Sequence, residues 1–446
     1  MSSTCGHERD ASPAGSQAVC LQVAVIGAGY VGLVQAGGLA RLGHSVRVGE
    51  RDLGRLRALR EGVVPIYEPG LAGLLAEGTA NEALSFHGSN EAAVAGAGVI
   101  FLTLPTPSAP DGSVDTSILL GAVEDVADAL QPGVVLAIKS TVPVGTARRV
   151  SRIPGIADRG VMVVSNPEFL REGSAVGDFF GPDRIVIGAT DPEAARILAS
   201  DVYHGLDAEV IVTDPASAEM IKYAANSYLA ARLSFANSIA NLCEAVGADA
   251  AEVLAGMGRD HRIGGQYLEP GPGYGGSCLP KDTRALLAMA DESGYDFSLL
   301  RAVMDVNAVQ RQRMVDKVVS AAGSNDGDLR VGVWGLAFKA GTDDVRESPA
   351  LEMVERLRSA GATVRAYDPQ VKTPPDGVEL ASDAVSAAEG ADVLLVATEW
   401  VEFQEVDLGA VRGAMRGSAV VDARNLLERR RVESHGFSYE GVGTAR

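Results

Sequence analysis

The stretch VAVIGAGYVG, residues 23–32, decides the fold of the first half of the chain. A short apolar run leads into the glycine pattern GxGxxG. Gly27 can make a tight turn, Gly29 lets a pyrophosphate approach the backbone, and Gly32 allows a helix to pack closely on the strand. The phosphates would then lie at a helix N-terminus. The pattern predicts a Rossmann-like unit with a dinucleotide site, and a flavin site or a purely structural turn is the alternative.

An acidic residue helps to choose the dinucleotide. Glu50 stands at the end of the next predicted strand, about 20 residues beyond the glycines, where a carboxylate can hold the ribose hydroxyls of NAD. Arg51 and Arg55 follow, and arginines can accept the extra phosphate of NADP. The sequence favours NAD and leaves NADP open.

Short β-rich runs alternate with helical stretches on either side of a helical centre. The predicted strands are 22–26, 45–48, 99–104, 134–138, 161–164 and 184–187, then 330–334, 363–367, 393–397 and 419–421. Such alternation is typical of parallel sheets with helices on both faces. Asp214 and Pro215 are suited to begin a long helix that ends before Gly247. We predict an α/β protein with two Rossmann-like doubly wound parallel-sheet domains joined by a central long-helix region.

The length of 446 residues is too great for one hydrophobic core, so several domains are expected. The predicted boundaries are a disordered tail at 1–20, a dinucleotide-binding domain at 21–212, a helical domain at 213–325 and a second Rossmann-like domain at 326–446. The central helix has a long apolar face. This face predicts either a subunit interface or packing within the chain.

Composition excludes several classes of protein. The formal net charge of −19 provides no basic surface for nucleic acid. The 4 cysteines are irregularly spaced and the 6 histidines show no ligand spacing, so we expect neither a disulfide framework nor a metal site. The uncharged stretch 21–40 is long enough to span a bilayer, but its five glycines favour a buried strand and helix. A reducing, cytoplasmic location without a membrane partner is expected.

The stretch GPGYGGSCLPKD, residues 271–282, places a cysteine between a glycine-rich loop and a predicted helix. Pro280 suits a first helical turn. The helix N-terminus and the neighbouring Lys281 should favour the thiolate of Cys278, the nucleophilic form. The glycines would let the backbone approach a ligand closely. A buried structural cysteine is the alternative, but Lys281, Asp282 and the glycines favour a nucleophile.

Taken together, these motifs resemble the UDP-glucose/GDP-mannose dehydrogenase family from Leu21 onward. The matching stretches are GAGYVG at 27–32, PTP at 105–107, STVPVGT at 140–146, NPEFLREG at 166–173, residues 219–226, the Cys278 loop and FKAGTDDVRES at 338–348. The resemblance implies an NAD-dependent oxidoreductase that converts the C6 alcohol of a nucleotide sugar into a uronate. Two NAD would be consumed, and Cys278 would form a thiohemiacetal and then a thioester.

The resemblance also assigns catalytic roles. Lys222 and Asn226 lie four residues apart on the long helix, so they share a face, and they resemble the pair that stabilises an oxyanion. Asp282 resembles a carboxylate that works with Lys222 and a water. Thr141 and Glu168 resemble residues that place this water, with Glu168 a candidate base. Outside this context Lys222 would be a solvated lysine and Glu168 a loop carboxylate or a helix cap.

Binding residues follow from the same matches. The implied cofactor contacts are Gly27, Gly29, Val31, Gly32, Glu50, Arg55, Thr106, Thr141, Glu172, Lys281 and Arg346. The implied substrate contacts are Glu168, Phe169, Leu170, Glu172, Lys222, Asn226, Arg262, Tyr267, Leu268, Gly271, Gly275 and Lys339. Arg262 matches an arginine that reaches the substrate from a neighbouring subunit, which implies a homodimer or a larger assembly. Glu50 departs from the family, where Asp is usual.

Several functions stay open at this point. Residues 166–173 and 262–264 favour UDP-glucose as substrate, and GDP-mannose or a UDP-N-acetylhexosamine is the alternative. A dehydrogenase that stops at the aldehyde would have no need of Cys278. A non-catalytic nucleotide-sugar or NAD binding protein could lose Cys278, Lys222 and Asp282 freely.

Overall fold

The computed structural model describes residues 20–323 and 328–444. The predicted tail therefore lies outside the described residues except for Cys20. The stretch 21–40 forms a strand and most of a helix, as predicted. Across the two described ranges, no helix combines the length and the apolar character needed to cross a membrane.

The first sheet has eight strands in the order β3-β2-β1-β4-β5-β6-β7-β8. The strands are β1 (Gln22–Ile26), β2 (Ser45–Gly49), β3 (Leu84–His87), β4 (Val99–Leu102), β5 (Val135–Ile138), β6 (Met162–Ser165), β7 (Arg184–Ala189) and β8 (Glu209–Thr213). Strands β1 to β6 are parallel to one another.

Strand β7 corrects the prediction of a purely parallel sheet. It pairs antiparallel with β6 and parallel with β8. An antiparallel extension at one edge is common in such sheets. Strands β3 and β8 were missed by the prediction. β3 (LSFH) alternates apolar and polar residues, and β8 (EVIVT) has only three apolar residues in a row, directly before the helix start at Asp214.

Helices cover both faces of this sheet. They are α1 (Tyr30–Arg41), α2 (Leu53–Arg60), α3 (Leu71–Ala80), α4 (Asn90–Val94), α5 (Ser117–Ala127), α6 (Thr146–Val150), α7 (Pro154–Ala157), α8 (Ala175–Phe180) and α9 (Pro192–Arg196), and a π-helical turn (Ile197–Val202) follows. Val23 and Val25 of β1 join one buried cluster, and Ala24 and Ile26 join another. Alternate side chains of a strand point to opposite faces, so both faces are covered and the sheet is doubly wound.

The centre of the chain is helical, as predicted. Its helices are α10 (Pro215–Val246), α11 (Ala250–Gly258), α12 (Leu279–Glu292) and α13 (Ser298–Ala322). The Asp214 carboxylate accepts the backbone N–H of Ser217 at 3.0 Å and caps α10. Gly247 ends the helix with a φ of 76°.

The second sheet has six parallel strands in the order β11-β10-β9-β12-β13-β14. Its strands are β9 (Arg330–Trp334), β10 (Thr363–Tyr367), β11 (Glu379–Leu380), β12 (Val393–Val396), β13 (Ala419–Asp422) and β14 (Ser438–Glu440). Its helices are α14 (Pro349–Ser359), α15 (Ala384–Ala387), α16 (Glu402–Glu405), α17 (Leu408–Ala414) and α18 (Arg429–Ser434). Side chains of α10 and α13 join the core of this sheet. The predicted fold class is confirmed.

Candidate active site

The turn after β1 has the geometry that a dinucleotide requires. Gly27 has a φ of 104°, and a Cβ there would lie 2.9 Å from the carbonyl oxygen of Thr103. A Cβ on Gly32 would lie 1.9 Å from the carbonyl oxygen of Gly27. A Cβ on Gly29 would meet no atom of the described residues within 4 Å. Protein packing thus requires the first and third glycines, and the second leaves the close approach that a pyrophosphate needs.

Several of the residues predicted to hold the cofactor gather at one edge of the first sheet, whereas Lys281 lies on α12 and Arg346 follows β9 of the second sheet. Because β1 to β6 are parallel, the turns that follow them lie at the same edge. Glu50 follows β2, Thr106 follows β4 and Thr141 follows β5. The strand order reverses between β1 and β4, which is where open α/β sheets bind ligands.

Glu50 is buried at this edge, and its carboxylate meets the start of the next helix. Its Oε1 accepts the N–H of Asp52 at 2.8 Å, and Arg55 Nη1 lies 3.4 Å from Oε2. Arg51 instead pairs with Asp125 at 2.9 Å. Both arginines that left NADP open are therefore engaged with carboxylates, and the arrangement fits NAD.

A cavity of about 540 Å³ lies where the two sheets and the central helices meet. The predicted residues that line it are Glu168, Phe169, Leu170, Glu172, Lys222, Asn226, Tyr267, Gly271, Gly275, Cys278 and Lys339. They come from the loop after β6, helix α10, the loop before α12 and the domain of the second sheet. We call this domain the second lobe, and the domain of the first sheet the first lobe. The fold thus brings together residues far apart in the sequence.

Helix α10 presents two buried polar side chains to the cavity. Lys222 Nζ lies 3.0 Å from Glu168 Oε1, and both side chains are almost fully buried. Asn226 Nδ2 donates to Asp282 Oδ2 at 2.6 Å. Burial acts to lower the pKa of Lys222, but Glu168, Cys278 and Asp282 together raise it above its ordinary value. Lys222 is therefore a cation held at the cysteine.

Cys278 is the N-cap of α12, and Pro280 lies in the first turn, as predicted. The structure contradicts the prediction of a favoured thiolate. Burial raises the pKa of Cys278 to about 11, although Lys222 acts to lower it. The positive charge of Lys281 is paired with a carboxylate instead of with the thiol, because its Nζ lies 2.6 Å from Asp282 Oδ1. Desolvation outweighs the helix N-terminus at this site.

Glycines before Cys278 line the cavity, and protein packing gives a further reason for two of them. A Cβ on Gly273 would lie 2.6 Å from Asn307 Oδ1, and one on Gly275 would lie 2.2 Å from the carbonyl oxygen of Glu347. The loop thus lies tightly between α13 and the second lobe.

Glu172 connects the loop after β6 to the cysteine loop. Its Oε1 accepts the Ser277 hydroxyl at 2.7 Å, and Arg346 Nη2 lies 3.6 Å away. Burial and the Asp344 carboxylate raise the pKa of Glu172. Arg346 is also paired with Asp344 at 2.5 Å.

Two predicted substrate residues lie away from the cavity. Arg262 is exposed and forms an ion pair with Asp260 in its own loop. Arg232 of α10 supports this loop by donating to the carbonyl oxygens of Ile263 and Gly264. Leu268 is buried and lies outside the cavity lining.

Four cationic residues that line the cavity were not predicted as site residues: Lys139, Arg171, Arg184 and Arg424. Arg424 lies just beyond β13, and its guanidinium donates to the carbonyl oxygens of Phe338 and Ala397. Lys139 follows β5, and burial lowers its pKa to about 8. For Lys139 and Arg424, a charged residue within two positions of the end of a buried strand was the available signal.

Comparison with known proteins agrees with this geometry. Sequence models of the UDP-glucose/GDP-mannose dehydrogenase family match in order: the NAD binding domain over residues 21–207, the central domain over 216–309 and the UDP binding domain over 332–429. The chain belongs to the UDP-glucose/GDP-mannose dehydrogenase family. It is therefore an NAD-dependent dehydrogenase, and the predicted cofactor is confirmed.

Curated members of the family match the chain almost from end to end. The UDP-glucose 6-dehydrogenase TuaD of Bacillus subtilis (strain 168) is 42% identical over 431 residues, covering 95% of this chain and 93% of that protein. The UDP-glucose 6-dehydrogenase of Rhizobium meliloti (strain 1021) is 42% identical over 434 residues, covering 95% and 99%.

Solved structures of the family share the fold. A UDP-glucose dehydrogenase from Pyrobaculum islandicum has a TM-score of 0.87 at 37% identity, covering 98% of this chain and all of that one. A UDP-D-ManNAc dehydrogenase from Pyrococcus horikoshii has a TM-score of 0.84 at 29% identity, covering 94% and 99%.

Proposed function

We propose that this chain oxidises UDP-glucose to UDP-glucuronate in a four-electron reaction that uses two NAD. The observation that supports this most strongly is the meeting of Cys278 with Lys222 and Asn226 in one cavity, whose loop after β6 is hydrogen-bonded to Tyr30 of the dinucleotide turn. A two-electron alcohol dehydrogenase needs no thiol in this position. The names of the curated relatives favour UDP-glucose.

In the first half of the reaction the C6 alcohol becomes an aldehyde. Bound NAD supplies the chemistry of hydride acceptance in both oxidation steps. Cys278 then adds to the aldehyde carbon, and its proton passes to the aldehyde oxygen to give a thiohemiacetal. Lys222 and Asn226 stabilise the negative charge that develops on this oxygen.

In the second half the thiohemiacetal loses a hydride and a proton and becomes a thioester on Cys278. Water, positioned by Thr141 and Glu168, attacks the thioester carbon, and the carboxylate of Glu168 takes a proton from it. The C–S bond breaks and the thiol is restored by a proton from the site. Because the cycle needs a free thiol, we place the enzyme in a reducing compartment such as the cytoplasm.

A related nucleotide sugar is the second candidate substrate. The likeness to the UDP-D-ManNAc dehydrogenase from Pyrococcus horikoshii favours it, because the shared cavity would carry out the same chemistry on a sugar with a different C2 substituent.

We propose a homodimer through α10. Large apolar side chains stand exposed along this helix at seven-residue spacing: Tyr228 is 64%, Phe235 52% and Leu242 57% exposed. A repeated seven-residue spacing keeps side chains on one face, which suits helix pairing. To reach the neighbouring cavity, the exposed Arg262 would exchange its ion pair with Asp260 for a contact with the substrate. Replacing Phe235 and Leu242 with glutamate should halve the mass measured by light scattering, and an unchanged mass would reject this interface.

The deciding experiment measures NADH formed per nucleotide sugar, by absorbance. Purified protein is given NAD with UDP-glucose, UDP-N-acetylglucosamine, UDP-N-acetylmannosamine or GDP-mannose. We expect two NADH per UDP-glucose and little from the others. One NADH would indicate an aldehyde product, and activity on another sugar would change the substrate but keep the mechanism. No NADH from any sugar, with NAD still bound, would favour a binding protein.

Replacing the nucleophile tests the covalent steps. Cys278→Ser should nearly abolish steady-state uronate formation and leave NAD binding intact, because the thioester cannot form. Cys20→Ser is the matched control, since Cys20 is exposed and lies outside the cavity. Full activity of Cys278→Ser would reject the mechanism.

A further inference from the structure

A buried carboxylate that none of the functions above uses lies between α2 and α3. Glu68 is 5% exposed and accepts hydrogen bonds from three donors. The backbone N–H of Gly173 donates to Oε2 at 2.6 Å and that of Ala175 donates to Oε1 at 2.8 Å. The hydroxyl of Tyr30 donates to Oε2 as well. Glu68 therefore joins two segments that are far apart in the sequence.

One of these segments is the dinucleotide turn. Tyr30 is the first residue of α1 and directly follows Gly29, so its backbone lies where the pyrophosphate is expected. Its hydroxyl is itself an acceptor for the Gly173 N–H at 3.0 Å. Tyr30, Glu68 and Gly173 thus form a closed triangle of hydrogen bonds.

The other segment is the loop after β6. Gly173 follows Glu172, whose Oε1 accepts the Ser277 hydroxyl beside Cys278. Gly173 has a φ of 85°, and a Cβ there would lie 3.1 Å from the carbonyl oxygen of Gly341 in the second lobe. A shift of the turn at Tyr30 would therefore be transmitted to the loop that meets both the cysteine and the second lobe.

A second contact ties the Glu68 segment to the same junction. The backbone N–H of Tyr67 donates to Asp343 Oδ1 of the second lobe at 3.3 Å. The segment 67–68 thus contacts the dinucleotide turn, the loop after β6 and the second lobe.

Helix capping alone explains only part of this arrangement. The N-cap of α8, Ser174, gives no side-chain capping bond, and Glu68 supplies one by accepting the Ala175 N–H. A simple cap has no need of the Tyr30 hydroxyl. The Tyr30 hydroxyl accepts the Gly173 N–H, and this hydrogen bond connects the loop after β6 to the dinucleotide turn. It is the contact that a coupling role requires.

We propose that Glu68 is a positioning residue through which NAD at the glycine turn orders the loop 166–175. Fixing Tyr30 fixes the Glu68 carboxylate, and the carboxylate holds the two N–H groups that shape the loop. The nucleotide sugar binds the same loop, so each ligand strengthens the binding of the other, whichever binds first. The proposal rests on the proposed function only for the identity of the second ligand.

The test uses NAD alone, so it is independent of the sugar. Hydrogen–deuterium exchange of residues 166–175 is measured with and without saturating NAD. In the parent protein we expect NAD to slow this exchange by about fivefold. Tyr30→Phe keeps both backbone bonds to Glu68 but removes the hydroxyl, so exchange without NAD should stay near that of the parent and the NAD effect should disappear. Glu68→Gln should lose the effect as well.

A matched control is the same substitution on the surface. Glu77→Gln breaks the exposed ion pair with Arg41 and should keep the full NAD effect. Loss of stability alone would speed exchange in both states and leave their ratio unchanged. An NAD effect that survives in Tyr30→Phe, or that is absent from the parent with NAD bound, would overturn the proposal.

A kinetic measurement extends the test to the second ligand. At saturating NAD, Tyr30→Phe should raise the KM for the nucleotide sugar about fivefold and leave kcat within twofold, because the chemistry groups are untouched. An unchanged KM would contradict the coupling. If the parent oxidises no nucleotide sugar, the proposed function fails, and the exchange measurement still decides the role of Glu68.

Discussion

The first six strands of the first sheet and the six strands of the second share one topology, but the turns after β1 and β9 differ. Each turn begins with a left-handed glycine whose N–H donates to the last residue of the neighbouring strand: Gly27 to Gly49 at 2.9 Å, and Gly335 to Tyr367 at 2.8 Å. The strand register makes Glu50 and Asp368 equivalent, since each directly follows that neighbouring strand. The same backbone is thus built twice.

The difference lies in what the carboxylate does. Asp368 turns inward, and its Oδ2 accepts the N–H groups of Leu336 and Ala337 at 2.7 and 3.0 Å and the Trp400 indole N–H at 3.1 Å. In the first lobe Glu50 accepts from Asp52 and leaves the turn free. In the second lobe the N–H groups of the turn therefore donate to an internal carboxylate. In the first lobe the equivalent N–H groups are left for a phosphate. One fold supports two binding modes according to where a single carboxylate points.

Removing the inward carboxylate should have the largest effect. Asp368→Ala leaves several buried N–H groups without an acceptor, and we expect the free energy of unfolding in urea to fall by about 4 kcal/mol. Glu50→Ala is the matched variant, and it should lose only about 1 kcal/mol, because Glu50 accepts a single backbone N–H and its ion pair with Arg55 is partly exposed. An equal loss in the free energy of unfolding for both variants would show that the two carboxylates do not differ in this way.

The next largest effect is expected for the reactivity of Cys278, in the cavity between the two lobes. Because burial raises the pKa of Cys278 to about 11, the thiol is protonated at neutral pH and its thiolate fraction rises with pH. The rate of iodoacetamide alkylation without ligands should therefore increase about 100-fold between pH 7 and 9. Mass spectrometry of the Cys278 peptide separates this reaction from that of Cys20. If the alkylation rate instead reached a plateau near pH 8, the favoured thiolate predicted from the sequence would be correct.

The open turn can be closed without harming the fold. Gly29 has a φ of −82°, which alanine accepts, and a Cβ there meets no described atom within 4 Å. Gly29→Ala should keep its Tm but raise the Kd for NAD about 30-fold, because the methyl group stands in the path of the pyrophosphate. Ala337→Gly at the equivalent position should create no NAD site. NAD binding by the second lobe of that variant would show that Asp368 does not close the turn.

The smallest effect is expected at the outward carboxylate. Glu50→Ala should raise the Kd for NAD about tenfold and narrow the preference for NAD over NADP, because the ribose contact is lost and the repulsion of the extra phosphate with it. Isothermal titration with both cofactors measures the two changes. An unmoved NAD/NADP ratio would assign the selectivity to other residues.

The fold was predictable where buried strands give continuous apolar runs. Strands β1, β4, β9 and β12 were located to within a few residues because their side chains are buried on both faces. Strand β8 was missed although it has three apolar residues in a row, because so short a run beside a helix start does not by itself indicate a strand.

The candidate site was predictable only in part. The shared face of Lys222 and Asn226 follows from the helical period. Which residues meet them does not, because Glu168 and Asp282 reach them from elements distant in sequence. The roles of these residues stay predictions until the variants are measured.

The sequence by itself determined the fold class, the family and the cofactor, because each depends on local patterns of glycine, charge and apolar period. The tertiary structure decided the protonation of Cys278, the partner of Lys281 and the opposite orientations of Glu50 and Asp368. These depend on burial and on neighbours brought from far along the chain. Electrostatic energies in a buried site change with desolvation and with distances of a few ångströms, and no local pattern records those.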